Sequence, residues 1–188
     1  MKKIVILLAV LAISSFSAQA QSYTMKFFGA NGLYYTSLGD QPPMIALAKK
    51  GEVIPAQLLY SGNVFYEWGT DIRARIEAGA TQLAIGGLSG ANDITMGYNA
   101  KLLVGFRIYP ISDRTYIMAY GGGGRLFTGV GSAGFYSLEA NLNHYLTKRT
   151  CFFLGGRLEG FLRQIDESAK NERDGGIALC AGLSIQLF

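Results

Sequence analysis

"GGIALCAGLSIQLF", Gly175 to Phe188, carries an apolar residue at every second position. Ile177, Leu179, Ala181, Leu183, Ile185 and Leu187 share one phase, while Ala178, Cys180, Gly182, Ser184 and Gln186, small or polar, share the other. A period of two puts these sets on opposite faces of a β-strand, one greasy and one not. Whether the greasy face meets a protein core or lipid decides what kind of molecule this is.

The same alternation recurs upstream. In Met96 to Ile108 the phase of Met96, Tyr98, Leu102, Val104, Phe106 and Ile108 opposes Asn99, Lys101 and Arg107. In Tyr136 to Leu146, Tyr136, Leu138, Leu142 and His144 oppose Ser137, Glu139, Asn141 and Asn143; in Phe152 to Leu162, Phe152, Leu154 and Leu158 oppose Arg157 and Glu159, with Arg163 next in that phase. Ala56 to Trp68 sets Leu58, Tyr60, Val64, Tyr66 and Trp68 against Gln57, Ser61, Asn63 and Glu67. Ile72 to Ala84 alternates more weakly around Arg73, Arg75 and Glu77, and Tyr116 to Leu126 sets Tyr116, Met118, Tyr120 and Leu126 against Arg125. With Tyr23 to Thr36, where Asn31 falls in the apolar phase, and the terminal run, the total is eight strands. "YPISDRT" (109–115) and "LTKRT" (146–150) read as tight turns, and "GGLSGAND" (86–93), "TGVGSAG" (128–134) and "DESAKNERDGG" (166–176) as longer loops. Short and long connections in alternation are the rhythm of an up-and-down antiparallel sheet. Loop one, Ser37 to Pro55, is the longest irregular piece, and its "MIALAKKG" reads as a helical turn.

Residues 1–20 have the make-up of a secretory signal peptide: Lys2 and Lys3, an apolar run from Ile4 to Ile13, and a small-residue processing site at Ser17 to Ala20. The domain is then 21–188. Removing the two leader lysines leaves 15 basic against 13 acidic side chains, so the formal charge of +4 falls to +2 and gives no case for direct nucleic-acid binding. Cys151 opens its strand whereas Cys180 lies eight residues before the end of the neighbouring one. At roughly 3.4 Å per residue that separation is too long for a bridge, so two separate buried thiols are expected.

Eight antiparallel strands close into a barrel, which removes exposed edges. A soluble, lipocalin-like barrel turns its apolar face inward; a membrane barrel turns it outward and fills its lumen with polar groups. Three features favour lipid. Aromatics of the apolar phase gather near strand ends: Tyr60, Tyr98, Tyr136 and Tyr34 or Tyr35 toward the loops, Trp68, Phe106, Tyr116 and Phe152 toward the turns. Such belts suit the headgroup zone. Short turns at one end and long loops at the other match the pattern of outer-membrane barrels. The polar phase mixes Arg73, Arg75, Lys101, Arg107, Arg125, Arg157 and Arg163 with Glu67, Glu77, Glu139 and Glu159. Arginine over lysine suits bidentate pairing in a confined lumen better than a wet surface.

This pattern resembles the small outer-membrane barrels of the OmpA and OmpX kind over the whole of 21–188. The resemblance implies a Gram-negative outer membrane, contact with lipopolysaccharide, insertion by the outer-membrane assembly machinery, and both termini in the periplasm. Phe188 is out of phase with Leu187, unlike the usual terminal aromatic. From Asp93 onward the chain is also similar to the TraO proteins of conjugative transposons. "GYNAKLLVGFRIYPISDRTYIMAYGGGGRLFTG", "SLEANLNHYLTKRT" and the terminal "AGLSIQLF" carry that likeness, with Glu139 and the turn from Tyr145 to Arg149 at its centre. It implies an envelope component of a DNA-transfer apparatus.

Other chemistries find little support. "GVGSAG" (129–134) spells a nucleotide fingerprint, but a strand follows it where a helix is required. Lipid A deacylases and acyl transferases need a histidine beside a serine; the lone His144 has Leu146 two residues on, and Ser137 points the other way. No ligand spacing for a metal exists, and no cofactor is expected. Eight strands leave an interior that side chains fill, which rules out a general diffusion porin but leaves room for an ion-paired trickle path. The reading is a non-enzymatic barrel with a structural or interaction role. Loop one and the charged loop Asp166 to Asp174 are its contact surfaces; conjugative envelope component and generic adhesion or envelope-integrity barrel stand as its two forms.

Overall fold

An alternating strand leaves one backbone edge unsatisfied on each side, and the chain answers by pairing every run with its neighbour. In the computed structural model, which describes residues 24–36, 43–49, 52–85, 93–161 and 175–187, nine strands form. They are β1 (Lys26–Thr36), β2 (Met44–Lys49), β3 (Glu52–Gly69), β4 (Ile72–Ile85), β5 (Asp93–Ser112), β6 (Thr115–Thr128), β7 (Gly131–Tyr145), β8 (Thr150–Phe161) and β9 (Gly175–Leu187). All pairings are antiparallel, and β9 returns to β1 from Lys26↔Leu187 to Thr36↔Ile177, closing the cylinder. Eight strands, β1 and β3 to β9, are the staves of an up-and-down barrel.

The ninth strand corrects the reading of loop one. "MIALAK" is not a helical turn but β2, a hairpin with β3 from Met44↔Gln57 to Lys49↔Glu52. It takes over from β1, whose pairing with β3 ends at Tyr34↔Tyr60. On its other edge β2 meets β9 at Met44↔Gly175 and β7 at Ala48↔Ser132. The loop end is therefore drawn together by β2 where β1, β8 and β9 stop. Ile45 and Leu47 are completely buried there, joining Leu58, Leu83, Leu126 and Ala133 in an apolar cap. The hydrophobic gain, about 1.5–3 kcal/mol for each large aliphatic chain, explains why an apolar hexapeptide pairs instead of coiling.

A second connection differs from expectation. Gly129 and Val130 alone separate β6 from β7, so "TGVGSAG" is a tight turn and not a long loop. Thr128 Oγ1 accepts from the backbone N–H of Val130 (3.2 Å) and Gly131 (3.0 Å), which locks the turn. At the opposite end Gly69, with φ of 127°, begins the β3–β4 turn in a conformation that side chains with a Cβ avoid. Residues 1–20, the segments 86–92 and 162–174, and Phe188 lie outside the described residues.

Which face is which is settled residue by residue. On β9, Leu179, Leu183 and Ile185 point outward and are half exposed, while Ala178, Cys180 and Ser184 are buried inside. The terminal strand therefore turns its oily side away from the cylinder. Leu102 and Val104 on β5, Leu138 and Leu142 on β7, and Leu154 and Leu158 on β8 do the same. The soluble, lipocalin-like arrangement is thereby contradicted: the charges are inside. Cys151 and Cys180 are separate, buried thiols; Cys151 faces Ser184 in the register and Cys180 faces Gly155.

Three strands depart from the simple phase reading. On β6, Tyr116, Met118 and Tyr120 point into the lumen, and Arg125 is exposed on the outer face. On β1 the phase that includes Asn31 also points inward, with Phe27, Leu33 and Tyr35. On β3 a bulge between Leu58 and Tyr60 inserts one residue and reverses the alternation, so Leu58 is buried while Tyr60 stays outside.

Candidate functional site

The inward positions of β3, β4, β5, β7 and β8 converge on one cluster of eight buried charges. Four are acidic (Glu67, Glu77, Glu139, Glu159) and four basic (Arg73, Arg75, Lys101, Arg157), so the lumen is electrically neutral among the described residues. The charges form a continuous chain of alternating sign. Arg73 Nη1 binds Glu67 Oε1 at 2.8 Å, and Arg75 Nε binds the other oxygen of Glu67 at 2.8 Å. Arg75 Nη1 reaches Glu139 at 2.9 Å, and Arg157 takes the second oxygen of Glu139. Arg157 also grips Glu77 with both terminal nitrogens, at 2.7 and 2.9 Å. Lys101 then bridges Glu77 (3.1 Å) and Glu159 (3.0 Å).

Burying ions costs several kcal/mol apiece unless attraction and hydrogen bonds offset it. Here each carboxylate has two cations within 4.0 Å and one neutral donor. Asn31 Nδ2 donates to Glu77 at 3.0 Å, Tyr35 O–H to Glu159 at 2.7 Å and Tyr120 O–H to Glu67 at 2.8 Å. Aromatic faces cover the guanidinium groups: Arg75 lies 4.1 Å from the Tyr120 ring and 4.4 Å from that of Phe65, and Arg73 4.5 Å from that of Phe27. Because β4 and β8 are opposite staves, the Arg157–Glu77 fork braces the cylinder across its width.

Above the ion pairs a void of about 10 Å³ lies between Lys101, Glu159, Asn99 and Thr81 below and Leu58 and Leu126 above. That is room for about one water molecule. The apolar cap carrying Ile45 and Leu47 follows, and at the turn end Leu103, Met118 and Tyr116 fill the section. Among the described residues, charge fills the middle of the lumen and oil both ends.

The residues named from sequence fall into three groups. Glu67, Arg73, Arg75, Glu77, Lys101, Glu139, Arg157 and Glu159 meet in the lumen. Arg107 does not: it sits at the turn-end rim, 3.5 Å from the exposed Asp71 and 4.6 Å from the Tyr116 ring. Arg125 does not either, since β6 is inverted and its guanidinium lies outside beside Phe127 and Ser132. Arg163 is outside the described residues. Of the girdle aromatics, Tyr60, Tyr98, Phe106, Tyr136 and Phe152 are exposed on the outer face and Trp68 is partly so. Tyr116 is 3% exposed and belongs to the lumen. Its ring packs against Arg73, Arg107 and Tyr145 (centroids 5.7 Å), contacts that a lipid-facing tyrosine would forgo.

Sequence patterning does not assign Tyr35, Tyr120 or Asn31 to the lumen, where all three are buried. Tyr35 and Tyr120 are amphipathic, and apolar-phase counting assigns such rings to lipid although their hydroxyls serve carboxylates here. Asn31, a polar residue in an otherwise apolar phase, marks that phase as the inward one. The outer belts gain Phe127, Phe28 and Tyr66, and pair internally as Tyr34–Tyr60 (5.4 Å) and Tyr66–Trp68 (5.8 Å). His144 faces outward, with Nδ1 2.9 Å from Thr115 Oγ1, while Ser137 is fully buried on the opposite face of the same strand.

An eight-staved barrel with an oily exterior and a neutral, packed lumen is the fold of the small outer-membrane β-barrels. No family model matches the chain, and no curated protein matches it in sequence. Solved structures do. The crystal structure of Neisserial surface protein A (NspA) is similar over 86% of this chain and 97% of its own, with TM-score 0.53 and 9% identity. The N-terminal β-barrel domain of Pseudomonas aeruginosa OprF is similar over 87% of this chain and 97% of its own, with TM-score 0.55 and 12% identity. At such identities the likeness is one of fold.

Proposed function

We propose that this chain is an integral barrel of the Gram-negative outer membrane with a structural or interaction role and no enzymatic one. One observation carries the reading: half-exposed aliphatic side chains ring the outside while eight paired charges are sealed within. In water that polarity exposes far more contiguous oil than a soluble monomer tolerates. In lipid each face meets the surroundings it needs. Residues 1–20 act as the export signal, the assembly machinery inserts the barrel, and the termini and short turns face the periplasm. The separation of His144 and Ser137 on opposite faces supports the absence of a hydrolytic site. With the lumen packed, recognition belongs to the loop end and the exterior.

The test is a gel of outer-membrane fractions with and without boiling. A folded barrel migrates faster before heating, and the protein should partition with the outer membrane. Recovery in the soluble periplasm with unchanged mobility would overturn the reading. Lipid A mass spectra with and without the gene should be identical; any change in acyl number would show an enzyme. The segments that resemble TraO favour a role in conjugative transfer within this class. If that is correct, deleting the gene from a conjugative donor lowers transfer frequency and complementation restores it; an unchanged frequency leaves the generic barrel.

A further inference from the structure

The outer face holds a cation where the fold does not need one. Among the described side chains on strands, outward charge is confined to Lys26 at the turn end and Arg125 near the loop end. Arg125 makes no ion pair among the described residues. Its Nη2 donates to Ser132 Oγ at 3.2 Å, and its guanidinium carbon lies 5.6 Å from the Phe127 ring. In the register its neighbours on either side are Ala100 and Gly134, so no bulky chain stands beside it. Phe127, which pairs with Tyr98, lies toward the loops, and both rings are exposed.

An outward arginine at mid-membrane costs about 2–4 kcal/mol, a cost that falls to about 0–1 at the interface. Arg125 is three residues from the end of β6 and level with the loop-end aromatic belt, so it stands at the headgroup depth. The planar fork of guanidinium matches phosphate oxygens bidentately, and with Ser132 taking one of its five donors the others are available to an anion. We propose that Arg125, oriented by Ser132 and flanked by the Tyr98 and Phe127 rings, binds a phosphate of the glycolipid in the outer leaflet. The rings lie along the sugar and the upper acyl chains. The proposal deepens the outer-membrane reading and rests on it.

The experiment uses the full barrel refolded in detergent, with bisphosphorylated lipid A and its dephosphorylated form as probes and native mass spectrometry as readout. Wild type should retain the bisphosphorylated form about tenfold better, the loss expected when one charge-assisted bond is missing. Arg125→Gln should abolish that preference, Arg125→Lys should keep part of it, and millimolar inorganic phosphate should not displace the lipid. Equal retention of both lipids by wild type, or an unchanged preference in Arg125→Gln, would overturn the site. So would displacement by inorganic phosphate, which would mark a simple anion site. Mobility before and after boiling, measured on the same samples, separates the two failures: a folded barrel without the preference refutes this site alone, whereas a protein that never forms a heat-modifiable barrel refutes the membrane reading.

Discussion

Arg157 is the residue on which the lumen turns. It touches Glu77, Glu139 and, more distantly at 3.9 Å, Glu159, tying β4 and β7 to its own strand β8 at one guanidinium. Arg157→Met leaves these buried carboxylates with too little positive charge, and should lower stability by about 3–5 kcal/mol. Adding Glu77→Gln restores neutrality and should return part of that loss. Urea unfolding followed by the gel shift reads both; a single variant as stable as wild type would show that the network is ornamental. Tyr35→Phe is the gentler case. It removes the hydroxyl that serves Glu159 and should cost about 1–3 kcal/mol, since the carboxylate is left short of a donor.

At the scale of elements, β5, β7, β8 and β9 were legible because their two phases differ sharply in polarity. β6 was not. Its inward Tyr116, Met118 and Tyr120 and its outward Ile117, Ala119 and Gly121 are all apolar or small, so the one charged residue, Arg125, decided the phase and decided it wrongly. Arg125 lies on the outer face, and one charged residue is too little to fix a phase whose other members are apolar or small on both sides. The change of face at Leu58 left only a faint trace, the Leu58-Leu59 pair within an otherwise alternating run. β2 escaped because Ile45 and Leu47 alternate over too few residues to distinguish a strand from a helical turn. Its weight in the fold can be measured: Leu47→Ala should cost about 2–5 kcal/mol by opening a cavity in the cap. Val104→Lys, on the outer face of β5, should cost about 2–4 kcal/mol in bilayers. A lysine there that folds and inserts as well as wild type would mean the face is not in lipid.

For the whole molecule, closure and strand direction follow from alternation and turn spacing, and the inside-out distribution of charge from the aromatic belts, the loop lengths and the arginine-rich polar phase, whereas the partners of each charge do not. Lumen pairing crosses the cylinder, as Arg157 on β8 meets Glu77 on β4, and no local spacing announces such a contact. The chain has a single tryptophan, Trp68, on the outer face near the turns. Moving that reporter gives the most direct reading of polarity. In a Trp68→Phe background, Leu102→Trp places the indole on the outer wall where Leu102 is 55% exposed. After refolding into vesicles, lipids brominated deep in their acyl chains should quench its fluorescence strongly while aqueous iodide leaves it unchanged. Quenching by iodide with no response to the brominated lipids would place that wall in water and contradict the account.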